Sequence, residues 1–462
     1  MKTLILTALL GIVSMLSEIF GFRKYLWTIL VLGLTGVFCV NLSELNYAIQ
    51  YFPNMIVFDH YAGVFAGLIL LMTLIWFFIS KDQYDSNEFN QADHYSLIMF
   101  AVTGSIVLVS FTHLAMLFLG IEILSIPMFI LAGSRKNELS SNEASLKYFI
   151  MGAFATGILL FGIALLYGAT GTFNIHEIAL IASGNSESVS VLFYTGVFMV
   201  MIGLAFKVSA VPFHFWTPDV YQGAPLVITA FMATIVKTAA FAAFYRLFNT
   251  SFISLLPQWE STLSVLIIFT ILTGNILAVY QSSVKRMLAY SGIAQAGYML
   301  MTILLSTYES QNALILYTSS YALSTLCAFA VLHYVIKIKG SDTFEAFTGL
   351  GKSHPLLAVI MVISMLSLAG IPPTVGFFAK FYLFSAVLQQ GYLALVIIAV
   401  LGSLVSVYYY FKVIISMYSG ESETDSVQLT VINKAILVLI GCLIILLGVT
   451  PGLFIDVLKS LT

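Results

Sequence analysis

Runs of roughly twenty apolar residues, the length that crosses the hydrocarbon core of a bilayer, recur from residue 4 to residue 448 with short polar stretches between them. About fourteen such runs can be marked off, each long enough for a membrane-spanning helix. The pattern predicts an all-α polytopic membrane protein. The longest polar stretches, 80–94 and 419–428, are acidic and read as surface loops, too short to hold a soluble domain. Residues 1–20 imitate a signal peptide because Lys2 precedes an apolar run, but Glu18 and the lack of a small-x-small pattern favour a retained first span.

Two of the apolar runs are interrupted, and in similar ways. The seventh contains Pro212 and Pro218 after Lys207, and the twelfth contains Pro372 and Pro373 before Lys380. Proline has no N–H to donate, so the carbonyl of Val208 at the first break, and those of Leu368 and Ala369 at the second, need other partners. Unwound backbone at membrane depth is tolerated only where protein buries it or a wet cavity receives it. The spacing of the breaks divides the chain into residues 1–93, a five-helix unit at 94–250 (spans four to eight), a second at 251–418 (spans nine to thirteen), and a last helix at 419–462. With an odd number of spans per unit the two copies are inverted, an arrangement in which transporters place ion sites at broken helices. Proline kinks used only for packing are the plainer alternative.

Composition agrees with the pattern. Apolar residues make up 60% of the 462 and charged residues 9%, against about 45–50% and about 25% in soluble proteins. If the chain starts outside and crosses fourteen times, Arg23, Lys24, Lys81, Arg135, Lys136, Lys285, Arg286, Lys337, Lys339 and Lys352 fall inside. Only Lys2, Arg246 and Lys459 remain near the outer ends. This bias predicts both termini on the outer, periplasmic side of a bacterial inner membrane, with Lys285 and Arg286 as anchors at the inner surface. Cys39, Cys327 and Cys442 are isolated, without redox-pair or cluster spacing, and read as small core hydrophobes.

Four ionisable residues lie deep in the apolar runs: Glu122, Lys207, Lys237 and Lys380. At roughly 2.5–3.5 kcal/mol each on insertion scales, leaving them unpaired would cost a sum comparable to the net stability of a domain, ~5–15 kcal/mol. Such residues mark a charge or proton pathway by default. Glu122 is central in span five and Lys207 deep in span seven, so an ion pair between them would lower the cost of both. His214 lies two helical turns beyond Lys207 if that helix is continuous and could accept and donate a proton. A lysine that exchanges protons near neutrality needs ~4 kcal/mol of interaction against its charged form, which burial can supply. Lysines locked in structural ion pairs are the alternative. Lys147, near the end of span six, either joins the pathway or snorkels. Tyr290, Ser291, Gln295 and Tyr298 form a polar stripe on span ten that could support a water chain or simply pack helices, and His333 is a possible gate. No phosphate loop, zinc spacing or dinucleotide fingerprint is found, so redox chemistry would reside on a partner chain.

Three motifs carry a resemblance. The run from Phe206 to Pro225, Phe-Lys-Val-Ser-Ala-Val-Pro-Phe-His-Phe-Trp-Thr-Pro-Asp-Val-Tyr-Gln-Gly-Ala-Pro, resembles the signature of the antiporter-like membrane subunits of respiratory complex I. Its Trp-Thr-Pro-Asp-Val looks like the N-type subunit of the bacterial proton-pumping NADH:quinone oxidoreductase, where L, M and Mrp relatives more often read Trp-Leu-Pro-Asp-Ala. The stretches from Lys285 to Tyr298 and from Leu368 to Tyr382 are similar to the same family. The resemblance implies a proton-translocating membrane subunit without cofactors of its own, with NADH, FMN, iron–sulfur clusters and quinone on partner subunits. Neighbouring antiporter-like and small membrane subunits and the lipid bilayer would surround it, with no nucleic acid among its partners. Glu122 and Lys207 would be a coupling pair, His214 and Lys237 a relay, and Lys380 the terminal lysine. Lys147 would align with a buried family lysine. Leu226-Val227 departs from the Thr-Pro common in relatives and puts the start of span eight in question, and the chain is expected to lack the long lateral helix of subunit L. An Mrp-type or stand-alone cation/proton antiporter is one alternative, and a purely structural membrane subunit another.

Overall fold

The computed structural model describes residues 1–45, 49–52, 54–84, 90–184, 190–305, 308–420 and 429–452. Lys459 and most of the acidic stretch at 419–428 lie outside the described residues, so the outer-side assignment of Lys459 is not addressed. In chain order the helices are α1 (Lys2–Leu16), α2 (Leu26–Glu44), α3 (His60–Tyr84), α4 (Gln91–Ser110), α5 (Leu114–Ala132), α6 (Leu139–Thr170) and α7 (Ile175–Ser183). There follow α8 (Val191–Lys207), α9 (Trp216–Gly223), α10 (Leu226–Phe231), α11 (Lys237–Ser251), α12 (Leu256–Val279), α13 (Val284–Leu300) and α14 (Tyr308–Lys339). The last are α15 (Leu350–Ser353), α16 (Pro355–Ala369), α17 (Val375–Gln389), α18 (Leu393–Tyr418) and α19 (Val431–Val449). One short antiparallel pair, β1 (Ile49–Phe52) with β2 (Ile56–Phe58), precedes α3.

Among the described residues eleven helices are long and apolar enough to cross a membrane. Four more apolar helices are shorter, and three of these, α8, α16 and α17, flank the two interruptions that the sequence predicts. Both breaks are real. Helix α8 ends at Lys207 and the chain resumes helix at Trp216, while α16 ends at Ala369 and α17 starts at Val375. The Val211–Pro212 and Pro372–Pro373 bonds are cis. The unusual Leu226-Val227 start causes no disturbance: Pro225 precedes α10, its carbonyl accepts from Ile228 and Thr229 at 2.9 Å, and the Trp76 indole donates to the Val227 carbonyl.

Burial separates an inner set of helices from an outer one. The most apolar stretch of the α10–α11 segment is 100% buried and that of α13 is 94% buried, against 33% for α18 and α19. The outer helices turn apolar side chains such as Phe154, Leu404 and Leu439 outward, as expected for surfaces met by lipid or neighbouring subunits. The inner helices carry Lys237, Gln295 and Tyr321, so the segments least exposed to lipid hold the polar chemistry.

Polar clamps tie the helices together. Arg246 on α11, predicted to lie near an outer end, is buried, pairs with both Asp59 oxygens and donates to the carbonyls of Val109 and Phe111. Glu44, at the end of α2, accepts from the Met1 amine and from the backbone N–H groups of Lys2 and Thr3, which fixes the start of α1. The cysteine expectation holds only for Cys327; Cys39 and Cys442 are exposed on outer helix faces.

Candidate proton pathway

Three buried lysines, each on a different helix, define the site. Lys207, Lys237 and Lys380 are 5%, 2% and 6% exposed. No ion pair among the described residues involves any of them, so the alternative of lysines locked to carboxylates finds no support. Their partners are neutral. Lys207 donates to the Ser125 hydroxyl on α5, and its ammonium lies 6.0 Å from the ring of Tyr148. Lys237 donates to the Gly292 carbonyl of α13 at 2.6 Å. Lys380 donates to the Ala369 carbonyl and to the Ser403 hydroxyl, both at 2.9 Å, with the Tyr298 ring 5.2 Å from its ammonium. Neutral dipoles offset part of the cost of burying a cation without cancelling its charge, which leaves it responsive to a change in the surrounding field.

The expected partners of the second break are in place. Gln295 donates to the freed Leu368 carbonyl at 3.0 Å, and Lys380 takes that of Ala369. Gln295 also accepts from Tyr317 and contacts Tyr410, which pairs with Ser291 at 2.6 Å. Tyr298 meets Asn275. The polar stripe on α13 is therefore bonded into the core, except that Tyr290 stands apart under Arg286.

A local device also shapes the middle site. The backbone at Met232–Val236, immediately before Lys237, is π-helical. Single π turns within helices widen the coil and recur at functional positions. Nothing in the sequence signals it.

Other expected residues take different places. Glu122 and Lys207 form no ion pair: Ser125, one turn along α5, holds the ammonium, and Glu122 is half-buried beside the exposed Leu119, Ile123 and Ile126. His214 does not share a helical face with Lys207, because the break at 208–215 intervenes; it is buried, packs on Phe215 and has no protein partner at Nδ1. Lys147 is 39% exposed and bonded to Glu143 at 2.6 Å and to Asp219 at 2.9 Å, with Arg286 on the other Asp219 oxygen. It stands outside the buried row. His333 is half-buried beside Tyr334, with no protein partner at Nε2. Lys285 corrects the anchor reading: it is buried and donates to the Gln222 and Ala224 carbonyls at the end of α9, where carbonyls lack helical partners.

Sequence reasoning missed Ser125, Gly292 and Ser403, the acceptors of the three lysines. Ser125 alone had a signal, since it follows Glu122 by one helical turn. Among the described residues no cluster of His, Cys, Asp or Glu could hold a metal ion.

Residues 111–406 match a family model described as NADH:quinone oxidoreductase/Mrp antiporter, transmembrane. A protein of Cytophaga hutchinsonii named NADH-quinone oxidoreductase subunit N is 48% identical over 99% of each chain. The chain belongs to the NADH-quinone oxidoreductase subunit N family. A Flavobacterium psychrophilum protein of the same name is 42% identical over 99% of this chain and 100% of its own. In the solved respiratory complex I from Thermus thermophilus, a chain 31% identical superposes with a TM-score of 0.83 and is covered over 99% of its length, against 100% of this one. A chain of the Mrp complex from a Dietzia species, 20% identical, has a TM-score of 0.87 over 99% of this chain and 96% of that one, which shows a shared fold. The resemblance carried by the three motifs, and the helical antiporter-like fold it implied, are borne out.

Proposed function

We propose that this chain is a proton-translocating membrane subunit of an NADH:quinone oxidoreductase, in which electron transfer on partner subunits drives protons through its buried polar row. The observation that carries this reading is the series of three buried lysines, on α8, α11 and α17, each held by neutral oxygens. Electron transfer at one end changes the field at Lys207, and charge then shifts through Lys237 toward Lys380. Glu122 modulates Lys207 without touching it. His214 serves as a side relay at the first break, and Lys147 holds the inner-side mouth of the row with Asp219. Moving one charge across 100 mV takes ~2.3 kcal/mol, within what a modest change in the surroundings of a buried lysine supplies.

NADH, FMN, iron–sulfur clusters and quinone are held by partner subunits in this reading. Neighbouring antiporter-like and small subunits cover its outer faces in a bacterial inner membrane, with both termini periplasmic. Fourteen spans, ten of them in two inverted five-helix units, fit the two matched breaks.

The test is Lys237→Ala in the native complex. The complex is expected to assemble and oxidise NADH, with the protons moved per NADH in inverted membrane vesicles reduced at least twofold. Unchanged pumping by a fully assembled variant removes Lys237 from the path.

A further inference from the structure

Between the three lysines stand three tyrosines that the lysine row by itself leaves without a role. Tyr148 on α6, Tyr221 on α9 and Tyr321 on α14 are buried, and the first two hydroxyls have no protein partner. An unpaired buried hydroxyl costs about 1–3 kcal/mol, so such groups are retained where water or a moving hydrogen bond completes them. Tyr148 lies beside the Lys207 ammonium and stacks on Trp216 at 4.6 Å, and the edge of Trp216 meets Tyr221 at 6.0 Å.

Of the three, Tyr321 is the one whose surroundings include two of the lysines. A methyl group at Gly292 would lie 3.0 Å from the Tyr321 hydroxyl and 3.4 Å from the Lys237 ammonium, so both groups converge on one point beside α13. On its other side Tyr321 lines a small cavity with Gln295, Tyr317, Ser320, Ser367 and Lys380. That cavity offers about 10 Å³ for water centres, on the order of one water molecule.

We propose that Tyr321 is a phenol junction that passes protons between Lys237 and Lys380. The inference rests on the proposed lysine pathway and adds one of its connections. A neutral phenol accepts a proton on an oxygen lone pair from one neighbour and releases its own hydroxyl proton to the next. Each transfer leaves one proton on the tyrosine, and the net change is one proton moved from one lysine toward another. The ring fills the bundle, while only the hydroxyl carries the path.

The experiment compares Tyr321→Phe, Lys237→Ala and, as a buried phenol elsewhere, Tyr334→Phe, each in the assembled complex. Complex abundance, NADH oxidation and protons moved per NADH are measured in H₂O and in D₂O. Tyr321→Phe is expected to assemble and to pump at least twofold fewer protons per NADH, with a larger solvent isotope effect than the parent. Tyr334→Phe is expected to leave the ratio and the isotope effect unchanged. A normal ratio in Tyr321→Phe, with Lys237→Ala impaired, overturns the junction and leaves the lysine row standing; normal ratios in all of them overturn both. If Tyr321→Phe fails to assemble, Gly292→Ala places a methyl group at the same junction while keeping the phenol, and normal pumping by that variant overturns the junction.

Discussion

At the first break Ser209 takes φ +66°, and at the second Gly370 takes φ +80°. In each case the next N–H reaches back five residues, Ala210 to Ala205 at 2.8 Å and Ile371 to Leu366 at 3.0 Å. The local geometry of the two breaks is nearly the same, but the side chains that answer them differ. At the second break the freed carbonyls of Leu368 and Ala369 are taken by Gln295 and Lys380, both members of the polar row. At the first, the Trp216 indole takes the Phe206 carbonyl, Thr270 accepts from the Val211 N–H, and Lys207 turns away to Ser125 on another helix. One break is built into the site; the other is sealed by packing residues and frees its lysine to face a second helix. A lysine bound to a break carbonyl is fixed by the backbone, whereas one bound only to a rotating hydroxyl can change partner at lower cost, in keeping with the coupling role proposed for Lys207.

Substitutions at matched places can break this contrast. The largest effect is expected at Gly376, where a Cβ would lie 1.8 Å from the Ser367 carbonyl oxygen. Gly376→Ala should cost more than about 4 kcal/mol and remove the complex from native gels. The equivalent place after the first break holds Phe215, which is exposed, and Phe215→Ala should leave complex abundance unchanged. Next is Gln295→Leu, which deprives the Leu368 carbonyl and the Tyr317 hydroxyl of their partner. A loss of about 1–3 kcal/mol should appear as a lower thermal midpoint of the purified complex, together with reduced pumping.

The smallest pair sharpens the comparison directly. Gly370→Ala puts a methyl group in a left-handed backbone position and 2.7 Å from Lys380 Cδ, so a loss of roughly 1–2 kcal/mol should accompany displaced Lys380 and weaker pumping. Ser209→Gly relieves the same backbone position and should raise the thermal midpoint by the equivalent of at most about 1 kcal/mol. Equal effects of opposite sign would mean that the breaks differ only in sequence. A pumping defect confined to Gly370→Ala would show that the second break belongs to the site.

Much of this was legible in the chain, and the reason lies in the size of the signals. A lysine in the middle of an apolar run and a pair of prolines at membrane depth each carry a cost of several kcal/mol, so they stand out against any background. The same logic correctly demanded partners for the Leu368 and Ala369 carbonyls. It failed where the cost was small or the partner remote. Glu122 and Lys207 were expected to pair because their charges are opposite, but Ser125 sits on the side of α5 that reaches Lys207. His214 was placed by helical periodicity across a segment that is not helical. Lys285 was read as a surface anchor from its neighbour Arg286, although the turn at the end of α9 folds over it.

The sequence by itself determined that the chain crosses a membrane many times, that two helices break, and that three cations are buried among apolar residues. These follow from the transfer cost of each residue and from the missing proline N–H, properties a residue carries wherever the chain goes. Only the tertiary structure decided what each cation faces. Lys207 meets Ser125, Lys237 meets Gly292 beside Tyr321, and Lys380 meets Ala369 and Ser403. All of those partners come from other helices, and a hydrogen bond reaches only about 3 Å, so helix packing, to within an ångström, chose which oxygens hold the ammonium groups.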